Sequence, residues 1–235
     1  DRVVSLSLLL NGVWEEYETR LFKTYLKKGD VVLDIGANIG NNTLVAAEVV
    51  GSLGRVYAFE PDPKNFALLK KNIEANGYQN VVLVNKALSD KNGKGKLFLS
   101  VENNHGDFRI FGTGDGRKSI GIDLITLDSY FGSKIPKINV IKIDVQGAEA
   151  LVIKGATKTL AKQKKLTLFT EFWPMALRQS GSSAREYADI LVKNKFKLYE
   201  IDTVNKRTSK VSFSQLFKKY PEDSLYNADL VCTKS

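Results

Sequence analysis

Short apolar runs that alternate with segments of helical periodicity leave this chain few architectures. Val31-Val32-Leu33-Asp34-Ile35, Arg55 to Glu60, Val81 to Val84, Val140-Ile141-Lys142-Ile143 and Leu166 to Thr170 are almost continuously apolar. A strand with one wet face would alternate instead. Between the runs lie helical patterns from Asn41 to Val50, from about Pro63 to Asn76 and from Ala148 to Ala161, with Phe66, Leu69 and Ile73 spaced for burial in the second. Strands covered on both faces need helices on both sides, so the predicted fold is α/β: a doubly wound, Rossmann-like sheet. Ligands in such sheets sit beyond the carboxyl ends of the strands, where the strand order reverses.

The rest of the chain fits around that unit. A helix is predicted over 15–27, with Leu21, Phe22, Tyr25 and Leu26 on one face. After the third strand the alternation stops, and Lys96 to Ser100 and Ile120 to Ile122 read as strands of a β insertion around the polar loop from Glu102 to Arg117. Helix Ala184 to Lys193 and strands Lys197 to Ile201 and Ala228 to Cys232 close the chain. With no repeat, linker or low-complexity tract, residues 1–235 are expected to form a single domain. Its parts would be a helical lead-in (1–29), a binding and catalytic core (30–175) and a C-terminal helix with the last strands (176–235).

Composition removes several classes. At 43% hydrophobic and 26% charged residues, the chain is neither disordered nor collagenous. Cys232 is the only cysteine and His105 the only histidine, so an internal disulfide, a cysteine zinc site and a multi-histidine cage are all excluded. Both counts suit a reducing compartment, and a cytoplasmic location is expected. The apolar opening from Val3 to Leu10 is too short to span a bilayer and lacks a cleavage signature, so neither signal peptide nor anchor is expected. A chain opening on Asp1 rather than Met is expected to have lost residues upstream. Residues 1–117 carry 15 Lys and Arg against 14 Asp and Glu, while residues 118–235 carry 20 against 12. The basic second half could draw RNA, a nucleotide-sugar or an acidic glycan, but its lysine clusters lack the interleaved aromatics of a single-strand platform. Nucleic acid is therefore possible and not favoured.

The chemistry gathers at the strand ends. The first strand runs into Asp34-Ile35-Gly36-Ala37-Asn38-Ile39-Gly40. A dinucleotide fingerprint needs two further glycines where Asn38 and Asn41 stand, so a phosphate-binding dehydrogenase is disfavoured. Asp34 adds negative charge and suits a ligand carrying an ammonium or sulfonium. Glu60 closes the second strand, where an acid reaches ribose hydroxyls in this architecture. Ala87 and Leu88, within Asn85-Lys86-Ala87-Leu88-Ser89-Asp90, could lie against an adenine. An adenosine with an ammonium and no phosphates is S-adenosylmethionine.

With Val32 to Gly40, Ala58-Phe59-Glu60-Pro61-Asp62-Pro63 and Asn85 to Asp90, the sequence resembles the FkbM family of S-adenosylmethionine-dependent methyltransferases. Thr126-Leu127-Asp128, Lys142-Ile143-Asp144-Val145-Gln146-Gly147-Ala148-Glu149, Lys154-Gly155-Ala156 and Glu171 extend the likeness over roughly residues 30–175. The resemblance implies a class I methyltransferase fold, a seven-stranded sheet in the order 3-2-1-4-5-7-6 with strand 7 antiparallel. It implies O-methylation of a hydroxyl on a sugar-like or other small acceptor. Cofactor contacts are expected from Asp34, Gly36, Ala37, Asn38, Gly40, Thr43, Glu60, Pro61, Ala87, Leu88 and Asp144.

At the reacting end, Asp144 is the first candidate for the base that takes the hydroxyl proton; its rival role is to hold the methionine ammonium. His105 is a second candidate base, weighed against an exposed loop histidine. Acceptor contacts are expected from Asn104, Asp107 and Arg109 in the insertion, and from Glu149, Glu171 and Trp173 at the strand rim. Asp144, Glu149 and Glu171 could offer oxygens to magnesium, but Phe172 stands where metal-dependent relatives place an amide, so no metal is expected. RNA or nucleotide methylation and a non-catalytic nucleotide-binding module are the alternatives.

Overall fold

In the computed structural model, which describes residues 15–100, 107–112, 114 and 116–235, the alternating segments assemble into one large sheet. Helix α1 (Glu16–Tyr25) leads into β1 (Val31–Ile35), α2 (Asn41–Val50), β2 (Arg55–Phe59), α3 (Pro63–Ala75) and β3 (Val81–Val84). The insertion supplies β4 (Ala87–Leu88), β5 (Gly93–Phe98) and β6 (Ser119–Ile125), and the short helix α4 (Leu127–Phe131) follows. Then come β7 (Val140–Ile143), α5 (Glu149–Lys154), α6 (Thr157–Lys162), β8 (Leu166–Phe172), α7 (Pro174–Gln179) and α8 (Ala184–Lys193). The chain ends with β9 (Lys197–Asp202), β10 (Arg207–Val211), α9 (Phe213–Lys219) and β11 (Ala228–Lys234).

The strand order is β10-β9-β11-β8-β7-β1-β2-β3. β1 pairs in parallel with β2 on one side and β7 on the other, which fixes the reversal point beside β1. β11 runs antiparallel between β8 and β9, as the class I order requires. The expected seven strands are eight, however. β10 forms a hairpin with β9, from Arg207 opposite Asp202 to Val211 opposite Leu198. Its sequence, Arg-Thr-Ser-Lys-Val, has no apolar alternation because it is an edge strand held by backbone pairing and a turn in which Asp202 accepts from Asn205 N at 3.0 Å. The insertion is a separate three-stranded sheet, β4-β6-β5.

Alternate residues of β1 face opposite layers. Val32 packs with Phe22 of α1, with Leu26 just after it, and with Ala46, Ala47 and Val50 of α2. Leu33 joins Val152, Leu160, Tyr187, Leu191 and Leu216 on the other face, which come from α5, α6, α8 and α9. Phe22 meets Phe169 of β8 edge-on, ring centroids 5.3 Å apart, and this pins α1 across the sheet. Cys232 is fully buried in the core, and burial pushes its thiol up.

The helix predicted from Ala148 to Ala161 is two helices. A Cβ at Gly155 would meet the Ser89 carbonyl oxygen at 2.0 Å, so the chain there lies against the end of β4. Asp128 then caps α6, accepting from the N–H of Lys158 and of Thr159, both at 2.8 Å. The break is a tertiary contact with no signature in the helical period.

Candidate active site

The turn after β1 is built so that two strand ends nearly touch. Gly36 has φ +83°, and a Cβ there would stand 1.9 Å from the Asp144 carbonyl oxygen. Its N–H and that of Ala37 both donate to Phe59 O at 3.0 Å, while Asp144 N donates to Ile35 O at 2.9 Å. The ends of β1, β2 and β7 are thereby drawn together under one cleft. Asn38, at φ +50°, turns its N–H onto Glu60 Oε2 at 2.8 Å.

Glu60 is 5% exposed. Its second oxygen accepts from Asp62 N at 2.8 Å, so each oxygen holds one backbone amide and keeps a further lone pair for a ligand. Burial outweighs those two amides, and with Asp62 and Asp34 nearby the carboxyl is pushed up to about 7. Asp34 is also buried; Thr43 Oγ1 donates to its Oδ2 at 2.5 Å.

The cleft is a cavity of about 220 Å³ at the carboxyl ends of the central strands. Gly36, Ala37, Asn38, Glu60, Pro61, Ala87, Leu88 and Asp144 line it, whereas Asp34, Gly40 and Thr43 stand behind its wall. Among the lining residues that sequence reading missed are Glu15, Asn41, Lys86, Phe108, Ile110 and Gln146. Buried polar atoms without a hydrogen-bond partner on lining residues include Asn38 Oδ1 and Asn41 Nδ2. One acceptor and one donor left over in this way fit a polar ligand between them.

Asp144 is already committed. Lys142 Nζ lies 3.1 Å from its Oδ2, and Gln146 Nε2 donates to its Oδ1 at 2.9 Å. Burial would raise this carboxyl, but the Lys142 ammonium and the Gln146 amide outweigh it and hold it below the ordinary carboxylate value. A carboxylate held low is a good cation anchor and a weak base.

The register of β7 with β8 pairs Ile143 with Thr170, so Asp144 comes next to Glu171; β11 places Asp229 opposite Glu171. Glu171 lines the cleft, and its enclosed Oε2 has no hydrogen-bond partner. Burial, then the neighbouring carboxylates Asp144, Glu149 and Asp229, push Glu171 well up, against the pull of Lys142. Behind it a second cavity of about 30 Å³ opens between α1 and the sheet, bounded by Glu15, Glu18, Lys142 and Asp229. Glu18 is pushed up to about 8, by burial first and Asp229 second.

Four residues expected at the acceptor end do not line the cleft. Glu149 does not reach the cleft: it is fully buried, and its Oε1 accepts from Val145 N at 3.3 Å and Gly147 N at 3.2 Å, closing the turn after β7. Asp107 and Arg109 do not line the cleft either, because their neighbours Phe108 and Ile110 do. Asp107 instead accepts from Arg109 Nε at 2.8 Å and Arg117 Nη2 at 2.7 Å, and the Arg109 guanidinium lies 5.1 Å over the Trp173 ring. This clamp ties the insertion to the rim of β8. Trp173 is thus occupied by Arg109, and its indole N–H donates to Ser224 O at 3.3 Å. Asn104 and His105 lie outside the described residues.

Burial of so many acids sets a pH dependence. Glu18, Glu60 and Glu149 have pKa values raised from 4.5 to about 8, 7 and 7 in the folded chain. As pH rises, the unfolded chain releases these protons first, so the stability they contribute is full below 4.5 and is lost by pH 7–8. The urea midpoint of the unliganded chain should therefore be higher at about pH 5 than at about pH 8. A midpoint that rises over that interval would show that these acids are ionised in the folded chain.

No group of three or more His, Cys, Asp or Glu side chains among the described residues is arranged to hold a metal ion, and no helix among them is long and apolar enough to cross a membrane. Residues 34–198 match the methyltransferase FkbM domain family. The hexuronic acid methyltransferase AglP of Haloferax volcanii is 32% identical over 148 residues, covering 62% of this chain and 58% of that protein. This chain thus spans less than two-thirds of AglP. The 2-O-methyltransferase NoeI of Sinorhizobium fredii is 27% identical over 190 residues, 73% of this chain and 75% of that one. The crystal structure of methyltransferase FkbM from Methylobacillus flagellatus KT has a TM-score of 0.52 at 16% identity, covering 88% of this chain and 44% of that one, a likeness of fold.

Proposed function

The chain belongs to the FkbM methyltransferase family, and on that premise we propose that it transfers a methyl group to a hydroxyl of a sugar-like acceptor. Its cofactor is S-adenosylmethionine, which supplies an activated sulfonium methyl when bound. The observation that carries the reading is the cleft itself, lined by Glu60, by Asp144 and by Asn38 and Asn41 with their unpartnered amide atoms. Glu60 would accept from the ribose hydroxyls with its remaining lone pairs, Ala87 and Leu88 would lie against the adenine, and Asp144 would hold the methionine ammonium. Glu171 would face the acceptor. AglP and NoeI, named for methylation of a hexuronic acid and of a 2-O position, favour a saccharide over the other small hydroxyl compounds.

Calorimetry should show binding of S-adenosylhomocysteine and none of NAD. A labelled-methyl screen over neutral and acidic glycosides, nucleotide-sugars, RNA and small alcohols should then find transfer to a saccharide. The label should survive mild alkali as an ether; label released as methanol marks a carboxyl ester and removes the hydroxyl reading. RNA rests only on the basic second half. An acceptor affinity falling steeply with log salt, through counterion release, would favour it, and a flat response is expected.

A further inference from the structure

We infer that Glu171 is the catalytic residue that accepts the proton of the acceptor hydroxyl, an inference that rests on the methyl-transfer reading above. Asp144, Glu149 and Glu171 are the three carboxylates that the sequence places at the reacting end, and geometry separates their roles. Asp144 has each oxygen bonded, to Lys142 and to Gln146. Glu149 is fully buried under the turn it closes. Glu171 alone of the three both lines the cleft and has an enclosed oxygen with no partner. Like Asp144 and Glu15, it also bounds the smaller cavity behind, so it stands where the two spaces meet.

The surrounding charge makes that place suit a proton transfer. Glu171 is faced by Lys142 of β7 and Asp144 just after it, Glu149 of α5 and Asp229 of β11, and it shares the smaller cavity with Glu15 and with Glu18 of α1. Burial and these carboxylates favour the neutral form of its carboxyl, as they do at Glu18, Glu149 and Asp229. A sulfonium brought into the cleft adds positive charge and favours the carboxylate instead. In the transfer the hydroxyl oxygen forms a C–O bond to the methyl carbon as the S–C bond breaks, leaving a neutral thioether. The hydroxyl proton passes to the Glu171 carboxylate. One positive and one negative charge disappear together, which a poorly solvated site favours over a pair left ionised. Proton affinity therefore rises at Glu171 as the methyl leaves.

Two arms test this. In the first, the full chain carrying 13Cδ-glutamate is titrated by NMR, with the Glu171 resonance assigned through Glu171→Gln. The two complexes compared are S-adenosylhomocysteine, neutral at sulfur, and sinefungin, which carries an ammonium there. The Glu171 midpoint should be lower with sinefungin by about one pH unit. Equal midpoints would overturn the assignment, and this arm needs no acceptor. In the second, the acceptor found in the methyl-transfer screen is used with Glu171→Gln. Its kcat should fall by about 10²–10⁴. A rise of kcat with pH is expected in the unaltered enzyme and should disappear in this variant, Glu171→Asp should restore part of the rate, and the Kd for S-adenosylhomocysteine should stay within about threefold. A kcat within about threefold of the unaltered enzyme overturns the proposal. Loss of S-adenosylhomocysteine binding overturns it too, by making Glu171 a cofactor anchor. An unaltered enzyme that methylates no hydroxyl refutes the functional reading instead, and the NMR arm still judges whether Glu171 senses the sulfonium charge.

Discussion

Alanine at Gly36 is expected to raise the Kd for S-adenosylhomocysteine by about a hundredfold or more, the conversion of about 3 kcal/mol. Two independent penalties meet there. A side chain at φ +83° costs about 1–2 kcal/mol in backbone strain. The added Cβ would also stand 1.9 Å from the Asp144 carbonyl oxygen, which is backbone and cannot swing aside. Relief requires β1 and β7 to part where Asp144 N donates to Ile35 O, and overpacking of that kind costs about 1–3 kcal/mol more. The urea midpoint should fall as well, since both strands are central. Calorimetry and denaturation on the same preparation check both effects, and near-normal affinity would mean that the cofactor does not lie over this turn.

Asp144→Asn should act on the same ligand by charge alone. The side chain keeps its size and its bond to Gln146, but the ammonium of Lys142 loses its counter-ion. Lys142 is only 13% exposed, so its stranded charge is costly; Asp144 is 35% exposed, so solvent softens the loss to about 1–3 kcal/mol of stability. A charge-assisted bond to the methionine ammonium would be weakened by about 1.5–3 kcal/mol, a rise in Kd of at least tenfold. Turnover at saturating cofactor should largely survive. The opposite pattern, normal affinity with kcat reduced by about 10²–10⁴, would assign the proton to Asp144 and take it from Glu171.

The central sheet and the residues at its strand ends were readable because both depend on local chemistry. A strand buried on two faces must be apolar along its length, as Val31 to Ile35 is, and its end is marked by Gly36 and Glu60. What escaped was set partly by contacts distant in sequence and partly by local ones that compete for the same side chains. Helix α1 could be read from Phe22 and Leu26, but its approach to the reacting end, with Glu15 and Glu18 beside Lys142, follows from packing on Phe169. Asp144 stands two residues after Lys142, so both side chains fall on one face of an extended chain, and the period of two made their pairing legible. Glu149 looked like an acid beside the acceptor; the backbone N–H groups of Val145 and Gly147 claim it first. Arg109 was placed at the acceptor because the insertion is polar, but the two-residue period of an extended chain turns Phe108 and Ile110 toward the cleft.

The position of β1 between β2 and β7 also governs how the chain can be assembled. Val32 of β1 pairs with Val56 and, on its other side, with Val140. During synthesis, the first partner follows within a few tens of residues, while the second must wait until the whole insertion has emerged. In that interval the hydrogen-bonding edge of an apolar strand is open, the condition under which partly made chains pair with one another. The three-stranded insertion, with its own small core of Ala87, Leu97, Ile122 and Leu124, can close locally in the meantime. It shortens the span of free chain that β7 must bring back, and so lowers the entropy lost when the two halves of the cleft meet.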